Sequence, residues 1–319
     1  MRAPRCLPSG GAWILGMALL VGLGLAEARS AKTGGQQPVF RAETDAVKVG
    51  VTVRDRSGAP IMGLDQANFT VVEDGRPQTV TYFARGDQEN GAVQTHIGLL
   101  LDTSGSMGAD IDLARKAAVR FLNTLHDAVD MTLVDFDAEV RVARYTQQDF
   151  PRMVERIRSR KLGGATAFYD ALGVYLDGAA DAEGRTVLVI FTDGGDTRSS
   201  IPFKDIMNLL RAADVTVYAV GFLDNQATSI RAEQRLRLTQ MAEETGGEAI
   251  FPQTMKEIEL AYDRVVAGIH AQYTLGYVST NPARDGRWRR VEVKVTRPGA
   301  SRGGRVLVRK GYFAPLVRP

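Results

Sequence analysis

Cysteine is almost absent from this chain: one, Cys6, among 319 residues. No disulfide framework can form within it, and a thiolate metal site lacks the residues it needs. Histidine is scarce as well. His96, His126 and His270 are predicted at a strand start, after a helix and at a helix end. None falls at a strand carboxyl end, where an α/β site forms, so no general base presents itself. The phosphate-loop pattern GxxxxGK[ST] and the zinc-protease pattern HExxH do not occur. Charge of neither sign dominates: 40 Lys and Arg stand against 37 Asp and Glu, net +3, which points to no strong electrostatic partner. Only one long apolar run exists, near the N-terminus, so no other segment is suited to span a bilayer as a helix.

That run, residues 12–25, follows Arg2 and Arg5 and precedes Ala26-Glu27-Ala28. The order is that of a secretory signal peptide cleaved after Ala28. An uncleaved anchor is the alternative, but the run's 14 residues fall short of the roughly 20 that span a bilayer. Cleavage would remove Cys6 and leave 38 basic against 36 acidic residues, net +2. The mature chain is then expected outside the cytoplasm: secreted, periplasmic or in the cell envelope. Residues 29–37, polar and rich in Gly and Gln, suit a flexible lead-in.

Hydrophobic residues make up 44% of the chain, enough for one larger and one smaller domain. In the stretch 96–108, HIGLLLDTSGSMG, the continuous apolar run 97–101 reads as a strand covered on both faces. It must stop at Asp102, after which Asp102, Ser104 and Ser106 alternate with Thr103 and Gly105. Three oxygen side chains thus leave one turn at a spacing suited to a metal, or equally to capping the next helix. Helical spacing follows over 111–125, then a hairpin of strands at 131–136 and 140–144 and a short helix at 150–157. A helix at 167–180, a buried strand at 186–192, a helix at 203–213 and a strand at 216–220 continue the series. A helix at 233–245, a short strand at 249–251 and a helix at 255–269 complete it. This alternation over 94–270 predicts a doubly wound α/β fold with a mostly parallel sheet and helices on both faces.

The flanks are β. Over 38–90, residues 47–53 alternate with period two, and strands at 69–72 and 79–83 flank Asp74-Gly75, a tight-turn pair. Over 271–319, strands are predicted at 273–278, 290–295 and 305–313. Neither flank can bury a core alone, so the two are expected to pair as one small β-sandwich-like domain.

Two more loops fall at strand carboxyl ends: Gly163-Gly164-Ala165-Thr166 before a helix, and Asp193-Gly194-Gly195-Asp196 after VLVIFT. Thr166 also reads as an N-cap and Asp193 as a turn former. Taken together, however, the order DxSxS, a Thr after Gly-Gly, and TDG after an apolar strand resembles the metal-ion-dependent adhesion site of von Willebrand factor A, or integrin I-type, domains. LDQANFTVVEDGRPQTVTYF before this region and YTLGYVST and RKGYF after it resemble the bacterial VWFA-related proteins first noted in acidobacteria.

The resemblance implies that Ser104 and Ser106 bind a metal directly and Asp102 mainly through water or a hydrogen bond. It also implies that Thr166 and Asp193 exchange direct and water-mediated roles as the site opens. Oxygen donors without His or Cys suit Mg²⁺ or Mn²⁺ ahead of Ca²⁺. The implied function is non-enzymatic: a protein partner's Asp or Glu carboxylate completes the metal's coordination. A structural envelope component whose metal only stabilises the loops, and a metal-dependent hydrolase, are the alternatives. The second aspartate of a DxD phosphatase is missing, since Asp102-Thr103-Ser104 stands there. The arginine-rich stretch after residue 284 reads as a solvated strand face rather than a nucleic-acid surface. Arg85-Gly86-Asp87 and the sequon Asn68-Phe69-Thr70 are short enough to arise by chance.

Overall fold

The computed structural model describes residues 46–86, 94–124, 128–180, 182–296 and 304–316. The signal and lead-in segments with Cys6, together with Asp87, Leu125, His126, Arg297 and Arg302, lie outside the described residues.

Four strands come first: β1 (Ala46–Arg54), β2 (Phe69–Glu73), β3 (Arg76–Gln78) and β4 (Val80–Arg85). The α/β region opens with β5 (Thr95–Asp102), α1 (Ile111–Leu122), β6 (Ala128–Phe136), β7 (Val140–Thr146), α2 (Phe150–Ser159) and α3 (Phe168–Ala179). It continues through β8 (Arg185–Thr192), α4 (Phe203–Ala212), β9 (Val215–Gly221), α5 (Thr228–Glu244), β10 (Glu248–Ile250) and α6 (Met255–His270). Strands β11 (Tyr273–Val278), β12 (Trp288–Val295), β13 (Arg305–Val308) and β14 (Gly311–Phe313) follow.

The central sheet has the order β10-β9-β8-β5-β6-β7 and is parallel except for β7, which runs antiparallel to β6. Its apolar strands are explained by cover on both sides. Ile97, Leu99 and Leu101 pack with α1, α2 and α6, while Leu100 packs with α3, α4 and α5. From β5 the chain moves outward to β6 and β7, then returns to the other side of β5 for β8, β9 and β10. Strand order therefore reverses between β5 and β8, and a crevice opens at the carboxyl ends of those two strands.

The flanking strands form two four-stranded antiparallel sheets, β13-β1-β11-β4 and β14-β12-β2-β3. Val49 and Val51 of β1, Phe69 and Val71 of β2, Leu275 of β11 and Val291 of β12 fill the space between them. Each sheet draws strands from both flanks, so neither flank has a core of its own. Buried Arg54 fastens this sandwich to the α/β region, donating to the Arg264 carbonyl (3.1 Å) and lying 3.5 Å from Glu248.

Three elements differ from the sequence expectation. The hairpin partner of β2 is β3, not a strand at 79–83. Asp74 and Gly75 form a two-residue turn with φ of 46° and 81°, the left-handed pair that such hairpins require, and the chain then crosses to the other sheet as β4. Residues 305–313 likewise split into two strands in different sheets. At the corner Arg309 donates to Asp214 (3.0 Å) and to the Arg211 carbonyl (3.1 Å), turning the chain. Helix α5 begins at Thr228 rather than at residue 233. Its first six residues carry no buried side chain, so no apolar period marks them.

Candidate metal centre

Strand β5 delivers Asp102 to the crevice fully buried, at 0% exposure. Its Oδ1 accepts the Ser104 N–H at 2.9 Å and its Oδ2 accepts the Thr192 hydroxyl at 2.6 Å. Burial pushes the Asp102 carboxyl up to about 7; the hydrogen bonds from Ser104 and Thr192 oppose the rise, and the nearby Asp193 charge adds to it. No Lys or Arg among the described residues forms an ion pair with it.

The backbone alternates sharply after Asp102. Thr103 turns away, its N–H and hydroxyl both donating to the Phe136 carbonyl (2.8 and 3.0 Å). Ser104 precedes a short 3₁₀ turn at Gly105–Ala109 but its side chain does not cap it. Its hydroxyl instead lies 3.0 Å from that of Ser106. Capping, the alternative reading of these serines, is therefore not their role.

The second loop is tied to the first by Gly105 N–H to the Gly164 carbonyl (3.2 Å) and Gly163 N–H to the Thr103 carbonyl (3.1 Å). Thr166 is buried. Its N–H donates to the Thr197 hydroxyl (3.0 Å) and its carbonyl accepts the amides of Thr197 and Arg198 (2.9 and 3.0 Å). Its own hydroxyl makes no hydrogen bond among the described residues. Thr166 does not cap α3 either, because that helix starts after Ala167. The Asp196 carboxylate takes the capping place from the third loop, accepting the amides of Phe168 (2.9 Å) and Tyr169 (3.3 Å).

In the third loop Asp193 is also buried. Its Oδ1 accepts the Gly195 N–H at 2.9 Å. Gly194 reverses the chain with φ +79°, and a Cβ there would come within 3.0 Å of the Gln234 Cβ, so glycine is required twice over. Asp193 Oδ2 accepts Gln226 Nε2 at 2.8 Å. Gln226 comes from a fourth loop, after β9, which is pinned by Asn225 Nδ2 to Asp110 Oδ2 at 2.9 Å. Sequence reasoning passed over this loop; its one signal is that β9 adjoins β8 on the side where strand order reverses.

The five residues Asp102, Ser104, Ser106, Thr166 and Asp193 thus stand on three mutually bonded loops along one sheet edge. Among the described residues no Lys or Arg pairs with either buried carboxylate, the Ser104 and Ser106 hydroxyls meet each other beside them, and the Thr166 hydroxyl makes no hydrogen bond. That donor set, all oxygen with two negative charges, fits a hard divalent ion. Among the described residues no three His, Cys, Asp or Glu side chains converge on a metal position, so a cation here would depend on the hydroxyls. His96 sits at the opposite end of β5, with Nδ1 3.0 Å from Asp130 Oδ1 and Nε2 3.0 Å from the Glu183 carbonyl. Of the C-terminal basic residues, Arg289, Arg305 and Arg309 are engaged by Asp285, by Glu243 and Glu248, and by Asp214. No helix of the described residues is long and apolar enough to cross a membrane.

No curated protein matches the chain by sequence. Among solved structures it is similar to a von Willebrand factor type A protein from Catenulispora acidiphila, at 13% identity and TM-score 0.48, covering 88% of this chain and 76% of that one. It is also similar to the vWF domain of the type V pili tip protein Mfa5 from Porphyromonas gingivalis, at 12% identity and TM-score 0.45, covering 56% and 96%. A third is the pilus adhesin SpaC from Lactobacillus rhamnosus GG, at 10% identity and TM-score 0.49, covering 80% and 49%. Residues 96–263, more than half of the chain, match the von Willebrand factor type A domain. The chain belongs to the von Willebrand factor type A family.

Proposed function

We propose that this protein is a non-enzymatic binding module of the extracytoplasmic space that holds Mg²⁺ or Mn²⁺ at Asp102, Ser104, Ser106, Thr166 and Asp193 and recognises a protein partner through an Asp or Glu carboxylate. The observation that carries this reading is the pair of buried carboxylates with which no Lys or Arg among the described residues pairs, set beside the hydroxyls of Ser104, Ser106 and Thr166. Bound there, the cation supplies a positive position that a partner's carboxylate can complete. Ser104, Ser106 and Thr166 contribute neutral oxygens, so the hydroxyl ligands add no negative charge beyond that of Asp102 and Asp193. Asp102, with both oxygens already accepting a protein hydrogen bond, keeps one lone pair on each for a water or a hydroxyl. Gly105, Gly164 and the amides of Thr197 and Arg198 hold the loops in place. The extracytoplasmic setting rests on the N-terminal signal pattern.

Isothermal titration with Mg²⁺ and Mn²⁺ tests the site. The wild-type chain should bind one ion, while Asp102→Ala and Ser104→Ala should bind none and keep a native far-UV circular dichroism spectrum. Unchanged titration in either variant overturns the assignment.

A further inference from the structure

The face of the central sheet that meets α3 is apolar for most of its depth and polar at one end. Leu100, Val134 and Ile190 lie side by side there on β5, β6 and β8. The two-residue period brings Gly98, Thr132 and Leu188 next, and then His96, Asp130 and Thr186 at the amino ends of the strands. Gly98 is a gap in an otherwise apolar strand, and the gap is filled from α3: a Cβ there would fall 2.3 Å from the ring of Tyr175. The strand gives up one side chain so that the Tyr175 phenol, 4% exposed, can lie over the sheet toward the polar layer.

The Tyr175 hydroxyl makes no hydrogen bond among the described residues and is not sealed from solvent. Burial pushes its ionisation far up; the Asp130 charge adds to the rise and Arg144 opposes it. The group is therefore a neutral O–H with a proton to donate. It lines a cleft of about 210 Å³, smaller than the roughly 300 Å³ at which sites for drug-sized ligands begin. Thr186, 5% exposed, lines the same cleft, and its hydroxyl too has no hydrogen bond among the described residues. Asp130 gives Oδ1 to His96 Nδ1 (3.0 Å) and keeps Oδ2 unengaged, while His96 Nε2 is held by the Glu183 carbonyl (3.0 Å), so the imidazole has no nitrogen to spare. Arg144 donates through Nη2 to the Gly178 carbonyl (3.3 Å) and through Nε to the Thr132 hydroxyl (3.5 Å), which leaves Nη1. Val142, Val174 and Ala179 supply apolar walls.

A ligand in this cleft must accept protons from Tyr175, Thr186 or Arg144 and give one to Asp130 Oδ2. Hydroxyl groups do both. A carboxylate or phosphate would bring its charge against Asp130 with no proton to give, and an ammonium group would accept nothing and face Arg144. We infer that this cleft binds a neutral polyhydroxy compound of monosaccharide size, its hydroxyls between Asp130 and the Tyr175 and Thr186 hydroxyls and its C–H surface against Val142 and Val174. The site lies at the end of β5 opposite Asp102 and does not depend on the metal centre.

D-glucose serves as the probe on the full chain, read by saturation-transfer difference NMR. The expected result is a saturable signal whose midpoint is the same with EDTA and in Asp102→Ala. Tyr175→Phe keeps the ring over Gly98 and removes the hydroxyl, so it should weaken binding about fivefold, as the loss of one hydrogen bond does. Val174→Trp, at an exposed position on the rim, should block the cleft and abolish the signal. If Tyr175→Phe fails to fold by circular dichroism, Val174→Trp alone decides. A signal that does not saturate, that is lost with EDTA, or that persists unchanged in Val174→Trp or in folded Tyr175→Phe overturns the proposal; absence of any signal does the same and leaves the cleft to water. Tighter binding of D-glucuronate or of D-glucosamine than of D-glucose overturns the neutral class.

Discussion

Two buried aspartates end adjacent strands of the central sheet, and their surroundings are opposite. Asp135 of β6, which pairs in register with Leu101, is 1% exposed. Three arginines surround it: Arg141 Nε at 2.7 Å, Arg156 Nη2 at 2.5 Å and Arg160 Nε at 3.1 Å. The last contributes charge without a hydrogen-bonding alignment. Asp102 of β5, buried just as deeply, is met by an amide and a hydroxyl. Removing a carboxylate from water costs several kcal/mol unless charge is returned to it. Around Asp135 the protein itself returns that charge, whereas around Asp102 no Lys or Arg among the described residues does so, and in the proposed reading a bound cation would. Burial of an acid is thus no guide to its task; the sign of what surrounds it is.

The comparison breaks most sharply under substitution. Asp135→Ala strands three guanidinium groups, and because each is a fifth to a third exposed, the loss should sit near the lower end of the range for buried pairs, about 3 kcal/mol. Urea unfolding measures it, and the loss should not depend on divalent ions. In EDTA, Asp102→Asn should stay within about 1 kcal/mol of the wild type, since it removes a buried charge that no protein cation compensates and keeps hydrogen-bonding capacity. An Asp102→Asn loss as large as that of Asp135→Ala would make Asp102 a structural residue. Next in size is the response to metal. Mg²⁺ at about one hundred times its dissociation constant should raise wild-type stability by about 2.7 kcal/mol and leave Asp102→Asn unmoved.

This contrast was only half legible in the sequence. The strand over 97–101 announced its double burial through an unbroken apolar run, and the alternation of Asp102, Ser104 and Ser106 marked oxygens leaving one turn. Thr166 and Asp193 became readable as members of the same set because each follows a strand or opens a helix on the sheet edge that topology makes functional. Other features depended on contacts between residues far apart in the chain. Asp196 caps α3 from 28 residues away, which no local capping pattern encodes. The sheet changes near Thr79 and Arg309 are set by which sheet has a free edge, so a continuous period-two pattern could not reveal the break. Arg289 was visible as one of many C-terminal arginines, and only its register beside Val291 sets it apart from the solvated ones.

Gln226 offers the smallest and most discriminating test. Its Nε2 holds Asp193 Oδ2 at 2.8 Å, so the oxygen pair on which a cation would draw is already partly engaged by the protein. Gln226→Ala frees that oxygen. In EDTA the variant should lose about 1 kcal/mol, the ordinary net worth of one hydrogen bond. If the amide must yield before the carboxylate can turn to the ion, the same free energy returns on binding, and Mg²⁺ affinity by titration should rise about fivefold. A fall in affinity of similar size would give Gln226 the reverse role: it would then orient Asp193 for the ion, and the contrast with Asp135 would extend from charge to geometry, with one acid fixed by arginines and the other aimed by a neutral amide.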